Sequence, residues 1–180
     1  MITLPLLVAH TVLWQAGWFA AVVGAAQGYP WAGPAALVPL VALHAWVFRA
    51  LPAWDLRPLG LAALVGFGVD ALLGHAGLIA MARGDGGWSA WSPPWMLGLW
   101  VALASGLSFG LRWLEGRRLW ATVCGALGGA AAYAGGERLG ALRFPAGSSA
   151  GIVAVAVSWG IALPLLMHLI ATTRRLVSRG

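Results

Sequence analysis

Charged side chains are scarce in this chain. Only 9% of its 180 residues are Asp, Glu, Lys or Arg, whereas 61% are hydrophobic. A soluble domain carries roughly 25% charged residues, so this sequence has too little polar material to cover a surface that faces water. The composition excludes a soluble globular domain and predicts an integral membrane protein.

Lysine is absent altogether, and all 11 basic residues are arginines, which gives a net charge of +6. Nucleic-acid binding requires such residues to be grouped on one surface or along one helix. Here they stand singly or in pairs between apolar segments, and no basic helix with interleaved aromatic residues occurs. We therefore expect no nucleic acid partner.

Residues that bind metals are also few. Cys124 is the single cysteine, which excludes an intrachain disulfide and a paired-thiol metal site. No two of the four histidines stand four residues apart on one helix, the usual sign of a metal site in a helical bundle. Two histidines on different spans could hold a haem, but no spacing singles out a pair. No metal and no cofactor are predicted.

Six apolar segments are each long enough to cross a membrane, which takes about 20 residues. The predicted spans are residues 3–25, 33–51, 58–81, 94–113, 119–136 and 149–172. Turns rich in glycine and proline separate them. The first segment lacks the basic start of a secretory signal, so we expect it to be retained as a span. The predicted fold is all-α, a single bundle of six transmembrane helices in one domain.

The arginines predict how this bundle is oriented. Eight fall on one side: Arg49, Arg57, Arg112, Arg117, Arg118, Arg174, Arg175 and Arg179. Three fall on the other: Arg83, Arg138 and Arg143. Because loops rich in arginine stay in the cytoplasm, both termini are predicted to be cytoplasmic. Tryptophans, which prefer the headgroup level, mark an outer boundary (Trp31, Trp88, Trp91, Trp95) and an inner one (Trp46, Trp54, Trp113, Trp120).

Asp70 lies in the middle of the third span, where an acidic residue is unexpected. Ala62, Gly66 and Gly74 share its helix face at four-residue spacing, and such small residues let another helix approach closely. A carboxylate that faced acyl chains would cost roughly 3 kcal/mol or more. Asp70 is therefore predicted to face its neighbours, where it is paired, hydrated or protonated.

Other polar residues suggest a site that opens toward the cytoplasm, with Asp70 at its floor as the catalytic proton donor or acceptor. The predicted ligand-binding residues are His10, Ser105, Ser108, Arg112 and Tyr133. Ser105, Ser108 and Arg112 fall on one face of the fourth span, and His10 lies at a similar depth on the first. The alternative is that these groups only form hydrogen bonds between helices and hold the bundle together.

Four stretches give the chain a family resemblance: GWFAAVVGAAQGYPWAGP, GFGVDALLGHAGLI, WMLGLWVALASGLSFGLRWL and GALGGAAAYAGGERLGAL. In this order and spacing they resemble a family of small bacterial inner-membrane proteins catalogued as domain of unknown function 2878. The resemblance implies an all-helical, multi-pass protein of the bacterial inner membrane with no established activity. It singles out Trp18, Asp70, Trp113 and Tyr133 as positions that match the family.

Three functions stay open at this stage. Family members are often encoded near fatty-acyl-modifying enzymes, so the resemblance implies an accessory or catalytic component of envelope-lipid or fatty-acyl modification, with membrane lipids and other membrane proteins as partners. Alternatively, six spans with Ala16 and Ala20 spaced four apart in the first resemble the vitamin-capturing subunits of importers. The third alternative is a structural membrane subunit.

Overall fold

The computed structural model describes residues 3–48, 57–82 and 91–177. Within these ranges the chain forms six α-helices: α1 (Leu4–Ala26), α2 (Ala32–Phe48), α3 (Arg57–His75), α4 (Pro94–Ser108), α5 (Arg118–Arg138) and α6 (Ser148–Val177). A 3₁₀ turn at Arg112–Leu114 follows α4. Two short strands, β1 (Ala80–Met81) and β2 (Leu142–Arg143), pair antiparallel. The predicted all-α class is confirmed.

Three of these helices are long and apolar enough to cross a membrane, namely α1, α3 and residues Ser148–Thr173 of α6. The helices α2 and α4 are apolar but shorter, with 17 and 15 residues. The helix α5 has 21 residues, but glycine and alanine take the place of larger aliphatic side chains along it. Length and composition therefore identify three candidate spans among the described residues.

The third predicted segment is longer than the helix that forms there. It was expected to run to residue 81, but α3 ends at His75. Gly77 adopts a positive φ of 67°, and the amide of Leu78 then donates to the carbonyl of Leu73 at 2.9 Å. This is the usual left-handed closure of a helix. The chain continues into β1, which pairs with the segment that follows α5.

The helix in the fourth predicted segment is also shorter than expected. It was expected to reach residue 113, but α4 stops at Ser108. The amides of Phe109 and Leu111 both turn back to the carbonyl of Gly106, at 3.1 and 2.9 Å. Arg112 therefore lies in the 3₁₀ turn, where it is exposed. The predicted alignment of Arg112 with Ser105 and Ser108 on one helix face is wrong.

The helices pack as sequential pairs: α1 with α2, α3 with α4, and α5 with α6. The helix α4 also packs against α1 and α2, and α6 packs against α3. Glycines permit the closest of these approaches. A Cβ on Gly129 of α5 would collide with the Trp159 side chain of α6. Among the described residues α1 and α5 have no extended contact, so a gap remains between them.

Several residues that predicted the orientation lie outside the described residues: Arg49, Trp54, Arg83, Trp88 and Arg179. Orientation therefore stays a prediction. Trp31, Trp91, Trp46, Trp113 and Trp120 are all at least 48% exposed, so these indoles lie on the outside of the bundle. Trp95 is different, because it is only 4% exposed and packs inside the bundle.

Candidate functional site

The buried carboxylate of Asp70 is held by three hydrogen bonds. It lies on α3 and is 2% exposed. Its Oδ2 accepts hydrogen bonds from Ser92 Oγ at 2.8 Å and from Trp100 Nε1 at 3.1 Å. Its Oδ1 accepts one from the hydroxyl of Tyr133 on α5. Asp70 thus faces its neighbouring helices, as its row of small residues predicted.

Gly66 makes this arrangement possible. It precedes Asp70 by one helical turn, and the indole of Trp100 lies directly over it. A Cβ on Gly66 would collide with that ring. Only glycine therefore lets α4 come close enough for the Trp100 N–H to reach Asp70. Trp100 is fixed from its other side by Trp159, with ring centroids 4.2 Å apart and planes 22° from parallel.

The three donors around Asp70 are all neutral groups. An indole N–H can only donate, so Trp100 must find an acceptor on Asp70. An ionised carboxylate is an acceptor on both oxygens, and it satisfies Ser92, Trp100 and Tyr133 together. Hydrogen bonds to a charged group contribute roughly 1.5–3 kcal/mol each. These three donors can therefore stabilise the carboxylate, although none of them is a cation.

A second buried polar cluster lies on α1, α2 and α4. Ser105 Oγ is 2.9 Å from His10 Nε2 and 3.1 Å from His44 Nδ1. All three side chains are buried, and His10 stacks on Phe109 at 4.0 Å. A serine hydroxyl has one hydrogen, so it donates to at most one ring. If Ser105 donates to one histidine, the ring nitrogen of the other histidine donates to Ser105. One imidazole then accepts a hydrogen bond and the other donates one.

The structure brings some of the predicted site residues together and separates others. Tyr133 bonds to Asp70, whereas His10 and Ser105 belong to the histidine cluster. Ser108 is buried on α4, and Arg112 is exposed beyond its end. The structure thus divides the predicted residues, because Asp70 bonds to Ser92, Trp100 and Tyr133 while Ser105 bonds to His10 and His44.

Sequence reasoning missed Ser92, Trp100 and Trp159 as parts of this region. Gly66 beside Asp70 signals that something large packs there, because a glycine on a buried face leaves room for a neighbour. It does not say which of 12 tryptophans fills the space. Ser92 carries no periodic signal, since it precedes α4 in an irregular segment.

The gap between α1 and α5 contains a cavity of about 520 Å³, within the range of roughly 300–1,000 Å³ typical of ligand sites. Its walls are mostly aliphatic and aromatic. The aromatic residues of the interior are Trp14, Trp18, Trp95, Trp100, Tyr133 and Trp159. No charged side chain is among the described residues that line it. The lining of the cavity is therefore largely apolar.

The cavity opens sideways, between two helices. The exposed residues at its edge are Gln15 and Phe19 on α1 and Gly128 and Ala131 on α5. All four lie near the middle of their helices. A Cβ added to Gly128 would meet nothing within 4 Å. The opening thus lies at mid-height of α1 and α5.

Tyr133 connects this cavity to Asp70, since it is one of the residues that line the cavity and its hydroxyl bonds to the carboxylate. Trp159 also lines the cavity, with its ring nearly perpendicular to that of Tyr133 at 6.1 Å. Its Nε1 is buried.

Comparison with known proteins confirms the family resemblance. The family model described as "Protein of unknown function (DUF2878)" matches residues 7–165, which is most of the chain. No curated protein and no solved structure matches the chain.

Proposed function

We propose that the chain, which belongs to the DUF2878 family of proteins of unknown function, binds a lipid in the cavity between α1 and α5. It would act there as an accessory or catalytic component of envelope-lipid or fatty-acyl modification. The observation that carries this proposal is the cavity itself. It is lined by apolar and aromatic side chains, lacks charge among the described lining residues, and opens at mid-height between two helices.

The proposal places the protein in the bacterial inner membrane as six spans with both termini in the cytoplasm. Three helices support it by length and hydropathy. The 15 residues of α4 rise about 22 Å, short of the roughly 30 Å of a hydrocarbon core. The 3₁₀ turn that follows α4 would lengthen that crossing. The excess of arginine on one side supports the orientation.

In this frame the opening of the cavity faces the acyl chains of the bilayer. A lipid then enters sideways without passing through water. A polar ligand would lose its hydration on entering a cavity whose wall offers few hydrogen bonds, and this loss would cost several kcal/mol. The lining thus favours a lipid over the water-soluble vitamin that an importer subunit would capture.

Tyr133 gives the site its chemistry. Asp70 is not among the residues that line the cavity, but its hydrogen bond to Tyr133 gives a route for a proton between the carboxylate and a bound lipid. Arg112, exposed where α4 has ended, would contact the anionic head group of a neighbouring phospholipid. Asp70 would act through Tyr133, which is one of the residues that line the cavity.

The test fills the cavity from one side. Gly128→Leu places a side chain in open space at the cavity wall, so we expect wild-type protein purified in mild detergent to retain lipid and the variant to lose most of it. Native mass spectrometry measures the bound mass. Gly68→Leu is the matched control, because Gly68 is also exposed and open on a helix but does not line the cavity.

Two results would overturn the proposal. One is a Gly128→Leu protein that retains the same lipid at the same occupancy as Gly68→Leu. The other is a wild-type protein that carries a water-soluble molecule in place of lipid, which would favour the importer alternative.

A further inference from the structure

The residues that line the cavity form rows along the helices. On α5 they recur at every fourth position from Cys124 to Gly136, which keeps them on one face of the helix for more than three turns. Rows with the same spacing run from Trp14 to Val22 on α1 and from Trp95 to Leu103 on α4. The cavity is therefore elongated, and its long axis follows the helices.

The length of the cavity matches that of one acyl chain. At about 1.5 Å per residue, the row on α5 from Cys124 to Gly136 rises about 18 Å. The hydrocarbon core of a bilayer is roughly 30 Å thick, so a chain in one of its two leaflets extends about 15 Å. Buried side chains lie at both ends of the cavity, Leu114 shortly before α5 and Leu142 beside Gly136.

The volume of the cavity gives the same result. A methylene group fills about as much space as a water molecule, which takes up about 30 Å³ in the liquid. The volume of about 520 Å³ therefore holds about 17 methylene groups. This is one chain of the usual length in a membrane lipid. A lipid with two such chains would need about twice that space.

The rest of such a lipid has to stay outside. None of the described residues that line the cavity is charged, and burying a phosphate without a counter-charge is far more costly than burying a neutral polar group. The cavity opens sideways between Gln15 and Phe19 on α1 and Gly128 and Ala131 on α5. One chain can pass through this opening while the head group remains in the bilayer.

We infer that the ligand is a two-chain membrane lipid that places one acyl chain in the cavity, parallel to the helices, and leaves its head group and second chain in the bilayer. The two ends of the cavity then select the length of the chain. The inference rests on the proposed lipid site, since it assigns the part of the lipid that this site takes.

The test measures selectivity for chain length. The delipidated full-length protein receives, in detergent, an equimolar mixture of phosphatidylglycerols with two equal saturated chains, from didecanoyl to dieicosanoyl. Native mass spectrometry counts the protein that carries each mass. We expect the highest occupancy at about 16 carbons per chain. The didodecanoyl lipid should bind about tenfold less, because it leaves part of the cavity empty.

A variant that shortens the cavity distinguishes selection by its ends from a general preference for long chains. Cys124 lies at one end of the row on α5, so Cys124→Phe should move the maximum toward shorter chains by about three carbons. Val123→Phe is the matched control, because Val123 is the adjacent residue, is 37% exposed and does not line the cavity. It should keep the wild-type maximum.

A second variant fills the same row nearer its other end. Ala132→Leu should also move the maximum toward shorter chains, so the inference can be tested even if Cys124→Phe fails to fold. A maximum that stays at the wild-type chain length in a folded Cys124→Phe or Ala132→Leu protein would overturn the inference.

Hexadecanoic acid tests the source of the chain. It carries the same chain as dihexadecanoyl phosphatidylglycerol but has no second chain and no glycerol. We expect wild type to bind the phospholipid as well as the acid, since the sideways opening leaves the second chain outside. Binding of the acid alone would overturn the two-chain assignment and identify a free fatty acid as the ligand.

The outcomes also separate this inference from the lipid site itself. Equal binding of all chain lengths to wild type, with loss of all of them in Gly128→Leu, would overturn the acyl-chain assignment and keep the lipid site. Binding that is the same in Gly128→Leu and in the control Gly68→Leu would overturn the lipid site and the acyl-chain assignment with it.

Discussion

At the scale of single residues, Asp70 is the one acceptor shared by three buried donors. Ser92, Trp100 and Tyr133 reach it from the segment before α4, from α4 and from α5. These three segments are thereby tied to α3 through one side chain. Removing the acceptor affects all three donors, whereas removing one donor leaves the other two bonds in place.

We predict that Asp70→Ala destabilises the protein more than Ser92→Ala. The serine variant loses one hydrogen bond to a charged group, which is worth about 2 kcal/mol. The aspartate variant leaves three donors buried without their acceptor and should cost about 3 kcal/mol or more. Thermal unfolding in a single detergent, followed by circular dichroism, gives the order. An increase in stability on Asp70→Ala would show that burying the carboxylate costs more than its bonds return.

The inward orientation of Asp70 could be predicted because it needs only local information, the glycines and alanine at helical spacing on its own span. Its partners could not. Trp100 and Ser92 reach Asp70 only once α4 has packed on α3, and no pattern within either segment specifies that register. The histidine cluster is similar: His10 and Ser105 were assigned to one site, but their separation from Asp70 depends on how α1, α2 and α4 meet.

At the scale of helices, adjacent glycines of α5 have different roles. Gly129 lies under the Trp159 side chain of α6, and a Cβ there would collide with it. Gly128 faces open space in the cavity. Two neighbouring positions on α5 thus face different surroundings, residue 129 a packed interface and residue 128 an open cavity.

We predict that Gly129→Ala destabilises the bundle while Gly128→Ala does not. Inserting a methyl group against Trp159 should cost roughly 1–3 kcal/mol. The same change at residue 128 meets no neighbour and should stabilise the helix by about 0.5–1 kcal/mol, since alanine loses less backbone freedom than glycine on folding. Unfolding temperatures of the two variants, measured side by side, check this. Equal effects would mean that the α5–α6 interface adjusts to the extra atom.

The ends of α3 and α4 show what hydropathy misses. The residues after each helix are still largely apolar, Leu78 and Ile79 in one case and Phe109 and Leu111 in the other. A window that averages hydropathy therefore continues through the turn. The true ends depend on backbone geometry, a left-handed glycine at residue 77 and amides that turn back to Gly106.

At the scale of the whole molecule, the number of crossings decides which side each loop faces. The candidate spans by length and composition are α1, α3 and most of α6. If these three alone crossed, every residue between α3 and α6 would lie on one side of the membrane. If all six helices cross, the loop before α5 and the loop before α6 lie on opposite sides.

We predict that these two loops are on opposite sides, with the loop before α5 in the cytoplasm. In a Cys124→Ala background, Glu115→Cys places a thiol at an exposed position before α5, and Ser149→Cys places one at the exposed start of α6. A maleimide that cannot cross membranes should label the second in intact spheroplasts, and the first only after the membrane is permeabilised. Labelling of both thiols in intact spheroplasts, or of neither, would contradict six crossings, because α5 would then return to the side on which it began. Labelling of residue 115 alone would keep six crossings and reverse the orientation that the arginines predict.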